Sequence, residues 1–167
     1  MARRKGAAQA MALGGILAAL AIVIMCMGGM IPVATYVCPM LCMLLLAVVL
    51  RVCGARVAWA WYGAVSILGL LMGPDKEAAA VFVFLGYYPI LKPRLDGTKL
   101  KWLWKLLLFN CAIGIMYVLL IRLFGMDQIS AEFQELGTIL TVVMLLMGNL
   151  IFFLLDRILD RFGKRKR

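Results

Sequence analysis

Six long apolar stretches dominate this 167-residue sequence, and short segments between them carry its charges. Hydrophobic residues make up 65% of the chain and the mean hydropathy is +1.01. One soluble core of this length could not bury so much apolar surface. Because a helix crosses the hydrocarbon core with about 20 apolar residues, the sequence predicts an all-α integral membrane protein with a six-transmembrane-helix bundle.

The predicted organisation has three parts. A basic N-terminus covers residues 1–10, the transmembrane domain covers 11–155 and a basic C-terminal tail covers 156–167. The predicted spans are 11–31, 36–51, 57–73, 78–91, 102–123 and 136–155. The fourth span is short for a helix that crosses the membrane upright, so we expect it to be tilted, re-entrant or enclosed by its neighbours. Gly86 and Pro89 predict a kinked or unwound inner end.

The distribution of positive charge predicts the orientation. With the N-terminus inside, 16 of the 18 lysines and arginines fall on the inner side and only Lys76 and Arg122 fall outside. Such an excess is typical of cytoplasmic loops, so both termini of this multi-pass protein are predicted to be cytoplasmic. The basic residues flank apolar spans, which predicts the lipid bilayer as a partner and argues against nucleic acid.

Residues for catalysis and cofactor binding are scarce. The sequence has no histidine, no CxxC pair and no glycine-rich phosphate loop, so we expect neither an enzyme nor a cofactor or metal site. One alternative is a Cu(I)-handling protein, because Met25, Cys38, Cys42 and Met43 offer soft sulfur ligands. Methionine and cysteine are ordinary apolar filler in membrane helices, so we prefer that interpretation and rank Cu(I) handling third.

A strip of small residues marks the first helix. Ala10, Gly14 and Ala18 recur every four residues, which lets another helix approach closely. Packing within the bundle is slightly favoured over docking of a separate protein.

This strip, the short basic N-terminus and an outer loop with Pro32 and Pro39 resemble the substrate-binding S component of energy-coupling factor transporters. The resemblance implies an S-component-like fold in a bacterial plasma membrane. It also implies that Ala10, Gly14 and Ala18 dock on a coupling membrane subunit, which works with separate ATPases. The expected function is capture of a small, vitamin-like molecule for uptake. No ligand-specific motif matches, so the resemblance names no ligand.

Six polar residues are candidate substrate contacts, and each also has a structural interpretation. Asp75 and Glu77 complement the dipole of the fourth helix, the two asparagines suit contacts between helices, and Arg122 is expected to snorkel towards water. The candidates are Lys76, Glu77, Asn110, Tyr117, Arg122 and Asn149.

A second functional hypothesis is a non-transporting membrane scaffold, similar to the small rod-shape-determining proteins of envelope assembly. The two hypotheses differ in the expected interior. A capture subunit needs an outward-facing cavity bounded by helices four to six, whereas a scaffold can be packed solid.

Overall fold

The computed structural model describes the backbone of residues 2–27, 34–97, 100–124 and 127–164, and the side chains of most of these residues. Within these ranges every regular element is a helix. The helices are α1 (Ala2–Met27), α2 (Ala34–Cys53), α3 (Ala55–Met72), α4 (Lys76–Leu85), α5 (Tyr88–Asp96), α6 (Lys101–Phe124) and α7 (Asp127–Lys164).

Among the described residues, four segments are long and apolar enough to cross a membrane, namely Gln9–Met27, Tyr36–Cys53, Ala55–Met72 and Lys101–Arg122. They match the predicted spans one, two, three and five to within four residues at each end. Their exposed side chains include Ile16, Leu71 and Val118, which suit contact with lipid tails. The prediction of an all-helical membrane protein is confirmed, while the count of six spans stays a prediction.

The predicted fourth span is two helices rather than one. Its ten-residue first part, α4, ends at Leu85, and α5 begins at Tyr88. Pro89 has no backbone N–H, so the regular ladder of helix hydrogen bonds cannot run through this point. The predicted kink is confirmed, and the single helix 78–91 is wrong because the chain needs two shorter helices to accommodate the proline.

The predicted sixth span, 136–155, lies within α7, whose side chains are described only for residues 142–161, position 144 excepted. α7 begins at Asp127, nine residues before the start of the predicted span. With 38 residues the helix is about 57 Å long, almost twice the ~30 Å hydrocarbon core. The side chains of Asp127, Glu132 and Glu135 lie outside the described residues.

The chain divides into two compact units, Met1–Gly97 and Thr98–Arg167. In the first unit α2 contacts each of the other four helices, and α3 also contacts α1, α4 and α5. A single residue, Gly54, joins α2 to α3 with φ of 86°, a conformation that glycine adopts without steric cost. This sharp turn lets the two central helices pack against each other directly.

α4 is enclosed on all sides. Five successive residues, Ala78 to Phe82, are buried, although a helix turns through more than a full circle over five positions. Three of them are alanines, and their small side chains let neighbouring backbones approach closely. The short fourth segment is therefore an enclosed helix, one of the three arrangements expected from its length.

The second unit is an antiparallel pair of helices. Trp102 of α6 stacks on Phe153 of α7, and further along α6 Asn110 contacts Asn149. Because the contacts move towards the start of α7 as they move towards the end of α6, the two helices run in opposite directions.

Candidate functional site

A group of aromatic side chains surrounds the interruption between α4 and α5. We call it the aromatic cluster, and it comprises Trp59, Trp61, Tyr62, Phe82 and Tyr87. The Tyr62 ring lies 5.9 Å from Trp59, 5.8 Å from Phe82 and 6.2 Å from Tyr87, measured between centroids. Trp61 meets Phe82 edge to face at 6.5 Å. Tyr62 is thus the centre of the cluster and links α3 to both sides of the interruption.

The backbone hydrogen bonds change their pattern at the interruption. The Gly86 N–H makes a regular helical bond to the Phe82 carbonyl at 2.6 Å, whereas the Ile90 N–H donates to the Tyr87 carbonyl at 3.0 Å in a tighter, three-residue turn. The Tyr62 hydroxyl donates to the Val83 carbonyl. Non-helical backbone at membrane depth is tolerated only where protein or water satisfies its polar groups, and here a tyrosine from α3 contributes.

Gly86 is needed for this close packing. A β-carbon at position 86 would overlap the Phe82 carbonyl oxygen and would lie 3.0 Å from ring carbons of both Phe82 and Tyr62. Real β-carbons almost never come so close, so any larger residue would displace the two rings. The glycine therefore sets the distance between the interruption and α3.

A buried hydroxyl lies one helical turn beyond Tyr62 on α3. The Ser66 side chain is 8% exposed, and its oxygen has no hydrogen-bond partner among the described residues. Tyr62 and Ser66 both lie near the middle of the Ala55–Met72 span, and α4 and α5 meet beside them. Aromatic rings and an interrupted helix therefore lie beside the middle of this candidate span, and the Ser66 hydroxyl lies one turn further along α3. Interrupted helices near the membrane midplane are common substrate sites in transporters.

Two of the predicted substrate contacts, Lys76 and Glu77, lie at the start of α4, beside the turn that joins α3 to α4. The Lys76 ammonium donates to the carbonyls of Leu70 and Gly73 at 2.7 and 3.0 Å, which satisfies carbonyls at the end of α3. The Asp75 carboxylate accepts from the Ala78 N–H at 3.0 Å, so the predicted capping of α4 is confirmed. Glu77 accepts from the Tyr36 hydroxyl at 3.2 Å. A ligand-binding role for Lys76 and Glu77 stays a prediction.

The predicted contacts on the last two helices include a reciprocal asparagine pair. Asn110 donates to Asn149 at 3.0 Å and accepts from it at 3.3 Å, and each amide also donates to the carbonyl four residues earlier. Their predicted role in joining helices is confirmed. Tyr117 is half-buried and Arg122 is exposed on α6. Ligand binding by these four residues stays a prediction.

Sequence analysis missed a buried ion pair. The Lys105 ammonium lies 3.1 and 3.0 Å from the two carboxylate oxygens of Asp156, and the two side chains are 4% and 3% exposed. Lys105 was counted only as inner positive charge, and Asp156 was assigned to the tail. The available signal was on α7, where Asp156 follows Asn149 by seven residues, or two helical turns, and so lies on the same side of the helix.

The small-residue strip of α1 packs partly within its own unit. The Gly14 carbonyl accepts from the Trp61 indole N–H at 3.0 Å, and the Ala10 carbonyl accepts from the Cys53 thiol at 3.1 Å. Gly14 is buried, whereas Ala10 and Ala18 are half-buried. Docking of a coupling subunit on these residues stays a prediction.

The sulfur cluster has its own internal contacts. Cys38, Cys42, Met25 and Met43 are buried, and the Cys42 thiol donates to the Ala21 carbonyl at 3.5 Å. Across the described part of the chain, no three cysteine or carboxylate side chains come together in a way that could hold a metal ion.

Comparisons with protein families, with curated proteins and with solved structures found no match to this chain. The functional argument therefore depends on the chemistry of the described residues.

Proposed function

We propose that this chain is a membrane-embedded substrate-capture subunit for uptake of a small, vitamin-like molecule in a bacterial plasma membrane. It would work with a separate coupling subunit and ATPases. The interruption of α4 and α5 beside the middle of α3 carries this proposal. Interrupted helices in transporters present backbone carbonyls and helix ends to a substrate near the membrane midplane.

The chemistry around the interruption suits a planar molecule with a few polar atoms. The rings of Tyr62 and Tyr87 are only half-buried and offer edges and faces on which such a molecule could stack. The hydroxyls of Tyr62 and Ser66 and the carbonyl of Val83 would fix its orientation. Ligand sites commonly combine a mostly apolar lining with a small number of polar groups of this kind.

The dependence on partner proteins follows from residues that the sequence lacks. Active uptake requires an energy source, and the chain carries no glycine-rich nucleotide-binding loop. The coupling subunit is proposed to dock on the first helix at Ala10, Gly14 and Ala18. Because Gly14 is buried against Trp61, this docking would use mainly the half-buried Ala10 and Ala18.

Native mass spectrometry of the gently extracted protein tests the proposal. We expect a bound small molecule together with a coupling subunit and ATPases. Tyr62→Phe and Ser66→Ala should reduce occupancy by the small molecule, because each removes a hydroxyl at the interruption. Cys111→Ala is the control, since it removes an exposed polar group from α6 and should leave occupancy unchanged. A bare chain, or equal occupancy in all variants, would contradict the proposal.

The membrane scaffold is the second candidate, and the continuous burial of Ala78 to Phe82 favours it. A solid interior requires no ligand for stability. Extraction with envelope-assembly proteins and without a small molecule would support this alternative.

A further inference from the structure

We infer that one end of the α6–α7 pair binds the headgroup of an anionic phospholipid through Arg157 and Lys101. Several aromatic and cationic side chains meet at this end. Trp102 and Phe153 stack with 5.0 Å between centroids and 29° between ring planes. The Lys105 ammonium lies 5.8 Å from the Trp102 ring, and the Arg157 guanidinium lies 5.1 Å from the Phe153 ring. Arg157 is thus held against an aromatic surface.

The two cations that contact this aromatic stack differ in their charge balance. Lys105 is buried and is neutralised by Asp156 at 3.0 Å. Arg157 is exposed and makes no ion pair with a described residue, and the same is true of Lys101, which precedes Trp102. A guanidinium that an aromatic ring holds in place, with its N–H groups available, is well suited to bind phosphate oxygens in pairs.

The surface beside these cations suits an acyl chain. Lys101 borders a shallow depression on α6 whose other lining residues are Leu100, Trp102, Leu103 and Leu106. The exposed Trp102 and Trp104 side chains are typical of residues that lie at a membrane interface. Two exposed cations at this end of the helix pair, one of them bordering an apolar depression that could hold a fatty chain, favour a phospholipid over a free anion. The predicted orientation places these cations at the cytoplasmic leaflet, which is rich in anionic lipid.

Native mass spectrometry of the purified full chain tests this inference, with dioleoylphosphatidylglycerol and dioleoylphosphatidylcholine as probes. We expect the anionic lipid to be retained preferentially. Arg157→Gln and Lys101→Gln should each weaken its binding about fivefold, as expected for one cation at a membrane surface. Binding of the zwitterionic lipid should not change. Arg157→Lys should give an intermediate loss, because an ammonium keeps the charge but cannot form paired N–H contacts.

Arg56→Gln is the matched control, because Arg56 is an exposed cation at the start of α3 in the other unit. Its phosphatidylglycerol binding should equal that of the wild type. An equal loss in Arg56→Gln and Arg157→Gln would contradict the inference, since binding would then reflect diffuse attraction. Displacement of the lipid by inorganic phosphate, or equal retention of both lipids, would also overturn it. Lys101→Gln leaves the aromatic stack intact and keeps the test valid if Arg157→Gln disturbs folding.

Discussion

In the first unit, side chains of α2 and α3 donate to backbone carbonyls of α1 and α4, whereas in the second unit side chains of α6 pair with side chains of α7. Trp61 and Tyr62 are the main donors in the first case. Lys105 with Asp156 and the asparagine pair are the examples in the second.

The difference reflects how many neighbours a helix has. α4 is enclosed, so small residues and close packing hold it in place. The contacts described between α6 and α7 come from one pair of helices. Lipid tails are as apolar as leucine, so burying leucine side chains between these helices gives little preference for one alignment of α6 along α7 over another. Complementary polar pairs supply that preference, because a shift by one residue would separate both of them. Four substitutions test this comparison, in order of decreasing effect.

Asp156→Ala should have the largest effect. It leaves the buried Lys105 ammonium without the Asp156 carboxylate, and breaking such a pair costs about 3–5 kcal/mol. Unfolding in mixed micelles, followed by circular dichroism, measures the loss. Replacing both residues, as Lys105→Met with Asp156→Leu, should restore most of the stability. Arg161→Ala is the control, because it removes an exposed charge from the same part of α7, and it should change stability by less than about 0.5 kcal/mol. Similar losses for positions 156 and 161 would show that the ion pair does not hold the two helices together.

Gly86→Ala tests the close approach at the interruption. The added methyl group would collide with the Phe82 carbonyl and crowd the Tyr62 ring, at a cost of about 1–3 kcal/mol. Gly97→Ala is the matched control, because Gly97 is exposed and its nearest neighbour, the Arg94 carbonyl, would lie 3.5 Å from the new carbon. The same unfolding measurement applies. If both alanine variants are equally stable, the interruption has more space than the structure indicates.

Tyr62→Phe tests the side-chain bond to the backbone in the first unit. The ring remains, but the Val83 carbonyl loses the tyrosine donor, which should cost about 1–2 kcal/mol. Amide hydrogen exchange should also rise in α5 relative to α3, because the interruption would be less firmly held. Tyr36→Phe removes an exposed hydroxyl and should have little effect on either measurement. Unchanged exchange in α5 would show that Tyr62 does not stabilise the interruption.

A double-mutant cycle on Asn110 and Asn149 should give the smallest effect. Polar contacts between membrane helices couple by about 0.6 kcal/mol on average, and we expect about 1 kcal/mol for this pair because its two bonds are reciprocal. The two alanine variants and the double variant are compared by the same unfolding assay. Additive losses would mean that the asparagines act only through their own helix carbonyls.

The candidate site could be predicted only in part. Gly86 and Pro89 predicted an interruption, because their effects on a helix are local and do not depend on neighbours. The aromatic cluster was missed, since Tyr62 and Tyr87 are 25 positions apart and only the packing of α3 beside α4 brings them together. Aromatic residues are also common in membrane helices as interface anchors, so their presence in the sequence does not by itself indicate a cluster.

The sequence by itself determined the membrane class, four of the spans and the capping of α4 by Asp75, because hydropathy and helix-end chemistry act over one or two turns of chain. Only the tertiary structure decided that Lys105 is buried against Asp156 and that Gly14 faces Trp61. A charge near the end of a span is equally compatible with water and with a partner on another helix. The alignment of the helices determines which of the two the charge meets, and this alignment depends on contacts between residues that are far apart in sequence.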